Sequence, residues 1–492
     1  MKTRLLILSL GLILLINQKS YATHAAGLDL TYQCIGFSEY TVTVTFYRDC
    51  NGIEAPPDFP LEISSVSCGF ADSTSFSMPL IYTTQGSDTI SHLAGLCPGN
   101  SSQCAGGNLQ GYEQYIYVLT ITLPFVCNDW VIATHISSRN DAISNLYDPG
   151  NQDLYEECRL SNANNLCNNS PQFSNVPLVF ACVDDTFRYN RGVYDPDGDS
   201  LVFSLANPLS AAGVAILYEN ISLSPEYPLF TTTGTFDFNP VTGQMKCIPS
   251  SFQVAVISML IEEYRDGEKI GSTQCDMQVI VKACTNNIPH IPDGITNLAG
   301  GTLISANAVE VNPGNSLDFD LEGTDADASD SLTIATNLPF AIPSATYTLQ
   351  GSNPITLHFH WDTFTSDSGL HFFTVTLKDK ACPYSGEQIY SYIILAGVSA
   401  PTLTGDIGSN NGGIMQIENN LMPGNIVVHF NSPLPDHCML LLFNSAGELV
   451  RQFNVGNTSF VLLPNKGLEG GTYLLTLIEE GSVLGTEKVV MK

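Results

Sequence analysis

From Tyr40 to Tyr47 the chain reads YTVTVTFY, with Val42, Val44 and Phe46 alternating with Thr41, Thr43 and Thr45. A period of two places the first set on one side of a strand and the second on the other, so the segment predicts a strand with one buried face. Tyr115 to Leu123, Val254 to Tyr264, Phe372 to Lys378 and Ile426 to Phe430 behave similarly. Turn residues punctuate these runs at Pro98-Gly99-Asn100, Asp197-Gly198, Asp266-Gly267 and Asn411-Gly412. Beyond the first 22 residues, no stretch longer than about ten keeps a helical period without Gly, Pro or β-branched interruption. The pattern therefore predicts an all-β fold, a row of tandem immunoglobulin-like β-sandwich domains.

The opening of the chain departs from this pattern. Lys2 and Arg4 precede a largely apolar run from Leu5 to Ile16, and Ser20-Tyr21-Ala22 closes it with a small-x-small site. These are the parts of a signal peptide over residues 1–22, and the mature chain is expected to begin at Thr23. The apolar run is too short to span a bilayer, and no later stretch is long enough, so no transmembrane segment is expected in the mature chain. Fourteen cysteines behind such a signal read as disulfides, and twelve of them lie in the first 284 residues. No CxxC pair occurs, which argues against a cysteine zinc site.

Charge narrows the partners. There are 18 Lys+Arg against 48 Asp+Glu, a formal net charge of −30, although charged residues make up only 13% of the chain. The protein is acidic mainly because bases are scarce. Such a surface repels phosphate backbones and anionic headgroups, so nucleic acid is not an expected partner, whereas divalent cations are natural companions.

Composition divides the chain after the signal into four units. A cysteine-rich β domain spans 23–185 and includes long polar loops between Ser138 and Pro177. A sandwich spans 186–285, and another spans 286–398, opened by a linker containing Pro289 and Pro292. The last unit, 413–492, follows Pro401-Thr402-Leu403-Thr404-Gly405. The two middle units share a weak repeat. Each has an acidic turn leading into Ser-Leu and a strand, first at Asp195-Pro196-Asp197-Gly198-Asp199-Ser200-Leu201, then at Asp325-Ala326-Asp327-Ala328-Ser329-Asp330-Ser331-Leu332.

Those turns carry the best candidate chemistry. Asp195, Asp197 and Asp199 stand at positions 1, 3 and 5 of a loop, and carboxylates so placed can converge on a hard cation that takes six to eight oxygens. An EF-hand would need Gly at position 6 and Glu at position 12, where this chain has Ser200 and Ala206. The choice is then between a β-sandwich calcium site and a solvated turn. Asp325, Asp327 and Asp330 pose the same choice less regularly. His358, His360 and Asp362 alternate, and with His371 nearby they could hold zinc or copper, or simply form the wet side of a strand whose other side is Leu357, Phe359 and Trp361. Neither HExxH nor Gly-x-Ser-x-Gly occurs, so the chain is not expected to be an enzyme. Two acids converging in the loops of Ser138 to Pro177 would make a carbohydrate-active enzyme the alternative.

Three stretches resemble known families. Ile417 to Phe430 (IENNLMPGNIVVHF), Leu440 to Val450 (LLLFNSAGELV) and Leu468 to Lys492 resemble the type A C-terminal sorting domain of the type IX secretion system of Bacteroidota, with Met422-Pro423-Gly424-Asn425 where that family has a Pro-Asn-Pro turn. His24 to Gly52 resembles the opening of large surface proteins of the same bacteria, which pair a Tyr-x-Cys strand with a Tyr-Arg-Asp-Cys strand, here Tyr32-Gln33-Cys34 and Tyr47-Arg48-Asp49-Cys50. A hairpin closed by a Cys34–Cys50 disulfide is the reading that goes with that resemblance. Tyr194 to Asp199, Pro240 to Gly243 and Glu263 to Gly267 are similar to cadherin-like or PKD-like repeats. Together the resemblances imply an exported, cell-surface or secreted adhesion-type protein. Its partners would be the type IX machinery and an extracellular glycan or protein ligand, with calcium stiffening its junctions. A glycan-binding role remains open beside it.

Overall fold

The computed structural model describes residues 25–85, 101–163, 167–265, 268–367, 369–382 and 385–396, and the strands with a few flanking residues between 415 and 491. The signal expected at 1–22, the turns at residues 98–100, 266–267 and 411–412, and the sorting-domain turn at 422–424 lie outside the described residues. Strands dominate the described chain, and the one α-helix among the described residues is Leu338–Ala341.

The alternating segments form strands in the expected sense. Glu39–Asp49 buries Val42, Val44 and Phe46 while the intervening threonines stay half-exposed. It pairs antiparallel with Ala25–Gly36 on one side and Tyr112–Thr122 on the other, making one layer. The facing layer holds Asp58–Ser65, Trp130–Ile136 and Leu154–Leu160. Phe70–Thr83 serves both, pairing first with Asp58–Ser65 and then, across a register shift between Leu80 and Tyr82, with Tyr112–Thr122. Between the layers lies a core that includes Leu28, Leu30, Phe59, Tyr117, Trp130 and Ile132.

The second layer does not stop there. Leu154–Leu160 pairs on its far side with Glu268–Lys282, which pairs with Gln253–Arg265 and, through it, Ser200–Ala206. Main-chain hydrogen bonds thus run from the cysteine-rich region into the sandwich that follows. The later half of Glu268–Lys282 also takes Leu178–Cys182 as a parallel neighbour. This sheet packs on a small one made of Phe187–Tyr189, Met245–Cys247 and Asp237–Phe238 around a core that includes Phe203, Met259, Met277 and Val279.

Buried charges sit where the first strand meets this second body. The Arg191 guanidinium, fully buried, donates to Asp29 and to the Asn175 carbonyl and lies 4.5 Å over the Phe173 ring. Tyr47 donates to the other Asp29 oxygen at 3.3 Å. Nearby, Arg139 meets Asp276 at 2.6 Å. Glu156, 1% exposed, accepts only the Asp276 amide, and burial pushes its carboxyl well above the usual range, with Asp29 and Asp276 adding to the shift.

The third body is a sandwich of two sheets. Ile295–Ala299, Ser316–Gly323, Ile355–Asp362 and Thr346–Gly351 form one; Gly301–Ser305, Ala308–Val311, Glu387–Ala396, Gly369–Lys378 and Thr333–Thr336 form the other. Its core includes Phe319, Leu357, Phe359, Trp361 and Phe373. It meets the second body through apolar and polar contacts: Ile389 is buried in the second body's core, Phe372 packs edge-on to Phe203, Asn190 Nδ2 donates to Ser391 Oγ at 2.9 Å, and Gln244 Nε2 donates to the Ile389 carbonyl at 3.0 Å. Tyr194 stacks on Phe340 with centroids 5.2 Å apart. The C-terminal strands build a smaller sandwich with a core of its own.

The disulfide expected between Cys34 and Cys50 is not formed. Cys34 bonds Cys167, and Cys50 bonds Cys104. The reason lies in the hairpin: opposite Cys34 stands Tyr40, whereas Cys50 follows the end of Glu39–Asp49, at the other end of the pair. Cys68–Cys127 and Cys182–Cys284 are also bonded. Not every thiol is oxidised. Cys158, Cys247 and Cys275 are buried thiols on strands, and burial raises all three, Cys247 to about 12. A thiol kept protonated is a poor nucleophile, which fits a packing role.

Candidate cation sites at two acidic turns

The first acidic turn precedes Ser200–Ala206, and Gly198, with φ +83°, supplies the left-handed residue its tight bend requires. Asp195 Oδ1 accepts the amides of Asp197 and Asp199 at 2.8 and 3.0 Å, which folds the turn on itself. The three carboxylates do converge, with one oxygen from each within 4.8 Å of the others. A cation of the protein's own is already present. Arg265, at the end of the neighbouring strand Gln253–Arg265, forks onto Asp199 with two contacts of 2.6 Å and reaches Asp197 at 3.1 Å. Its remaining contact is Asn168 Oδ1 at 2.9 Å. A bidentate guanidinium matches a carboxylate in geometry and charge, so the turn is neutralised in part without a metal.

The segment that bears Asn168 fastens this turn to the first strand. Asn169 donates its amide and side chain to Asp197 at 2.8 and 2.7 Å, and Cys34–Cys167 holds the segment in place. Behind it, Glu263 is fully buried and receives Asn168 Nδ2 at 2.6 Å; burial pushes its carboxyl well above the usual range. Burial likewise raises Asp195 to about 6, with Asp199 and Asp197 adding to the shift.

The second turn has a different makeup. Asp325 and Asp330 converge with Asp379, again within 4.8 Å, and Asp379 is buried. Asp327, expected as a ligand, is engaged elsewhere. It accepts the Asn287 amide and side chain, both at 3.1 Å, and so pins the linker that joins the second and third bodies. Asp379 accepts the Gly386 and Ala381 amides at 2.7 and 3.0 Å, and Asn286 Nδ2 at 2.7 Å. Burial raises both Asp325 and Asp379. Among the described residues, none of Asp325, Asp330 and Asp379 forms an ion pair with a basic side chain. Three mutually close carboxylates without a counter-charge are the arrangement a hard divalent cation relieves.

Arg265 and Asp379 were absent from the expected ligand sets, yet a signal for both exists. Each closes the first strand of a long hairpin, Gln253–Arg265 in one repeat and Gly369–Lys378 in the other, and each meets its own repeat's acidic turn. The internal repeat, extended to that later hairpin, would have pointed to them.

The histidines do not gather into a metal site. His358 and His360 lie on the outer side of Ile355–Asp362 and meet the cross-strand acids Asp320 and Asp318 at 2.6 and 2.7 Å. The Asp318 hydrogen bond holds the His360 imidazole above its ordinary value. His371 is on the other sheet, edge-on to Trp361 and bonded to the Asp367 carbonyl. Among the described residues, the loops of Ser138 to Pro177 form no cleft of opposed acids either. Asn145 is buried and bonds the Pro228 and Val256 backbone, and Arg139 is buried against Asp276. A cavity of about 160 Å³ near Cys182–Cys284 has one carboxylate in its wall, Glu387, which faces Lys378 at 3.3 Å.

No family model matches this sequence, and no curated protein does. Among solved structures, the tandem Ig repeats of Dlar are similar at 9% identity over 46% of this chain and 97% of that one, with a TM-score of 0.20. The N-terminal eight Ig domains of Down Syndrome Cell Adhesion Molecule are similar at 9% identity over 94% of this chain and 49% of that one, TM-score 0.17. The endo-fucoidan hydrolase MfFcnA4, of glycoside hydrolase family 107, is similar at 14% identity over 62% of this chain and 38% of that one, TM-score 0.15. At such TM-scores the likeness extends to no activity, substrate or partner.

Proposed function

We propose that this chain is an exported, surface-displayed interaction protein, a stiff row of β-sandwiches with no catalytic role. The observation that carries the reading is how the first three bodies are joined. The first and second share a continuous sheet, and the second and third meet through side-chain hydrogen bonds and a pinned linker. A protein built to present a surface gains from fixed junctions, because a partner then meets a preorganised face. Four described disulfides fit an oxidising compartment. The type IX route, with residues 413–492 as sorting domain, rests on the resemblance of the terminal strands.

Calcium stiffening belongs at the second turn, where Asp325, Asp330 and Asp379 stand beside the linker residue Asn286. At the first turn, Arg265 takes the cation's part. Calcium at one hundred times its Kd would stabilise the folded chain by about 2.7 kcal/mol. Melting curves with calcium and with chelator should therefore differ by several degrees, and Asp379→Asn should erase most of the difference. Identical midpoints for the parent chain retire the calcium reading. Display itself is read by adding protease to intact cells.

A further inference from the structure

One of the chain's few bases stands half-buried at the joint of the first two bodies. Lys282 closes the strand Glu268–Lys282, opposite Cys182 of the parallel strand and two residues before that cysteine's partner, Cys284. Its Nζ lies 4.3 Å over the Phe180 ring and reaches out of the second body to Gln110 Oε1 of the first, at 3.2 Å. Burial lowers the ammonium to about 8, with Asp49 pulling the other way. Part of the population is therefore a neutral amine near neutral pH, the form in which a lysine is a nucleophile.

Gln110 is held from its own side. It precedes Tyr112–Thr122 by two residues, and Tyr112 stands opposite Asp49, the last residue of Glu39–Asp49. Gln110 Nε2 donates to the Tyr112 hydroxyl at 2.7 Å and to Asp49 Oδ2 at 3.3 Å. Asp49 is buried, and its other oxygen accepts the Asn51 amide at 3.0 Å. The next residue, Cys50, donates its amide to the Gly111 carbonyl and is bonded to Cys104, which staples this corner. Tyr112 in turn packs with Leu178 and Ile280 of the second body, so apolar packing across the joint brings the three polar side chains together. An amine at a carboxamide oxygen, with a carboxylate at that amide's nitrogen, supplies a nucleophile, an acyl group and a proton carrier.

We propose that Lys282 and Gln110 condense into a side-chain amide, a self-made cross-link that ties the first body to the second. The neutral amine attacks Gln110 Cδ. The Nζ–Cδ bond forms, the Cδ–Nε2 bond breaks, one proton passes from Nζ to Nε2, and ammonia leaves. Asp49, in contact with Nε2, is the group placed to carry that proton. Nothing is oxidised or reduced, so the step needs no co-reactant and no particular compartment. Two such side chains free in water rarely meet in this arrangement, whereas the fold holds them side by side, which raises their effective concentration by orders of magnitude. The partners are 172 residues apart, so the cross-link closes a loop through both bodies and outlasts reduction of the disulfides.

The test is mass spectrometry of the full chain, folded and incubated in mildly alkaline buffer, then reduced, denatured and digested. The intact mass should fall short of the sequence by one ammonia, and the digest should contain a branched peptide joining Gln110 to Lys282. Lys282→Met and Gln110→Leu should each retain the ammonia, and Asp49→Asn, shown by circular dichroism to be folded, should slow its loss about a hundredfold. Recovery of Gln110 and Lys282 only in separate, unmodified peptides from the folded parent chain overturns the proposal, whatever the variants do. So does an ammonia loss that Lys282→Met leaves untouched, since another pair would then be responsible. An unchanged rate in Asp49→Asn overturns the part given to that carboxylate.

Discussion

Arg191→Leu should destabilise the joint between the first two bodies by about 3–5 kcal/mol, because it leaves the Asp29 carboxylate buried without its partner. Asp29 lies on the first strand, Ala25–Gly36, and Arg191 belongs to the following body, so the pair spans the joint. The loss is expected to come mainly from the orphaned charge and not from any large net gain of the intact pair. Asp29→Leu combined with Arg191→Leu should therefore recover most of the stability, a coupling a double-mutant cycle measures directly. The chain has two tryptophans, Trp130 in the first core and Trp361 in the third. In a Trp361→Phe background, Trp130 fluorescence during urea unfolding reports the first body alone. A midpoint unchanged by Arg191→Leu would show that the buried pair does not support the joint.

Removing the Cys34–Cys167 bridge should cost about 3 kcal/mol. Its partners are 133 residues apart, and a bare loop of that size would suggest about 5 kcal/mol on the chain-entropy argument. Cys50–Cys104 and Cys68–Cys127 lie inside the loop and already shorten the unfolded chain, which is why the smaller figure is expected. The bridge also steadies Asn168 and Asn169 against Arg265 and Asp197. Cys34→Ser with Cys167→Ser should thus lower the unfolding midpoint and speed hydrogen exchange in the segment 167–170. Non-reducing peptide maps of the parent chain give an independent reading: a Cys34–Cys50 peptide would contradict this connectivity.

What the sequence reveals here follows from range. Val42, Val44 and Phe46 announce their strand because the period of two is written in adjacent residues, and the acidic turns are visible because their carboxylates are local. Partners across the fold leave no such trace. Tyr40 stands opposite Cys34 because of the hairpin register, and only that register rules out the Cys34–Cys50 bond. Arg265 is 66 residues from Asp199, yet it decides how that turn is neutralised. Asp327 looked like a ligand by spacing, but the linker's Asn287 claims it, and Asp379, which looked like nothing, takes its place. The continuous sheet from the first body into the second is equally hidden, since Leu154–Leu160 reads as an ordinary strand until Glu268–Lys282 folds back beside it.

The measurement closest to the central claim is proteolysis of intact cells that make the chain, followed by blotting for the region 25–396. Display at the surface predicts that this region disappears while an internal marker protein survives. Full protection of the region under conditions that digest a known surface protein would contradict it.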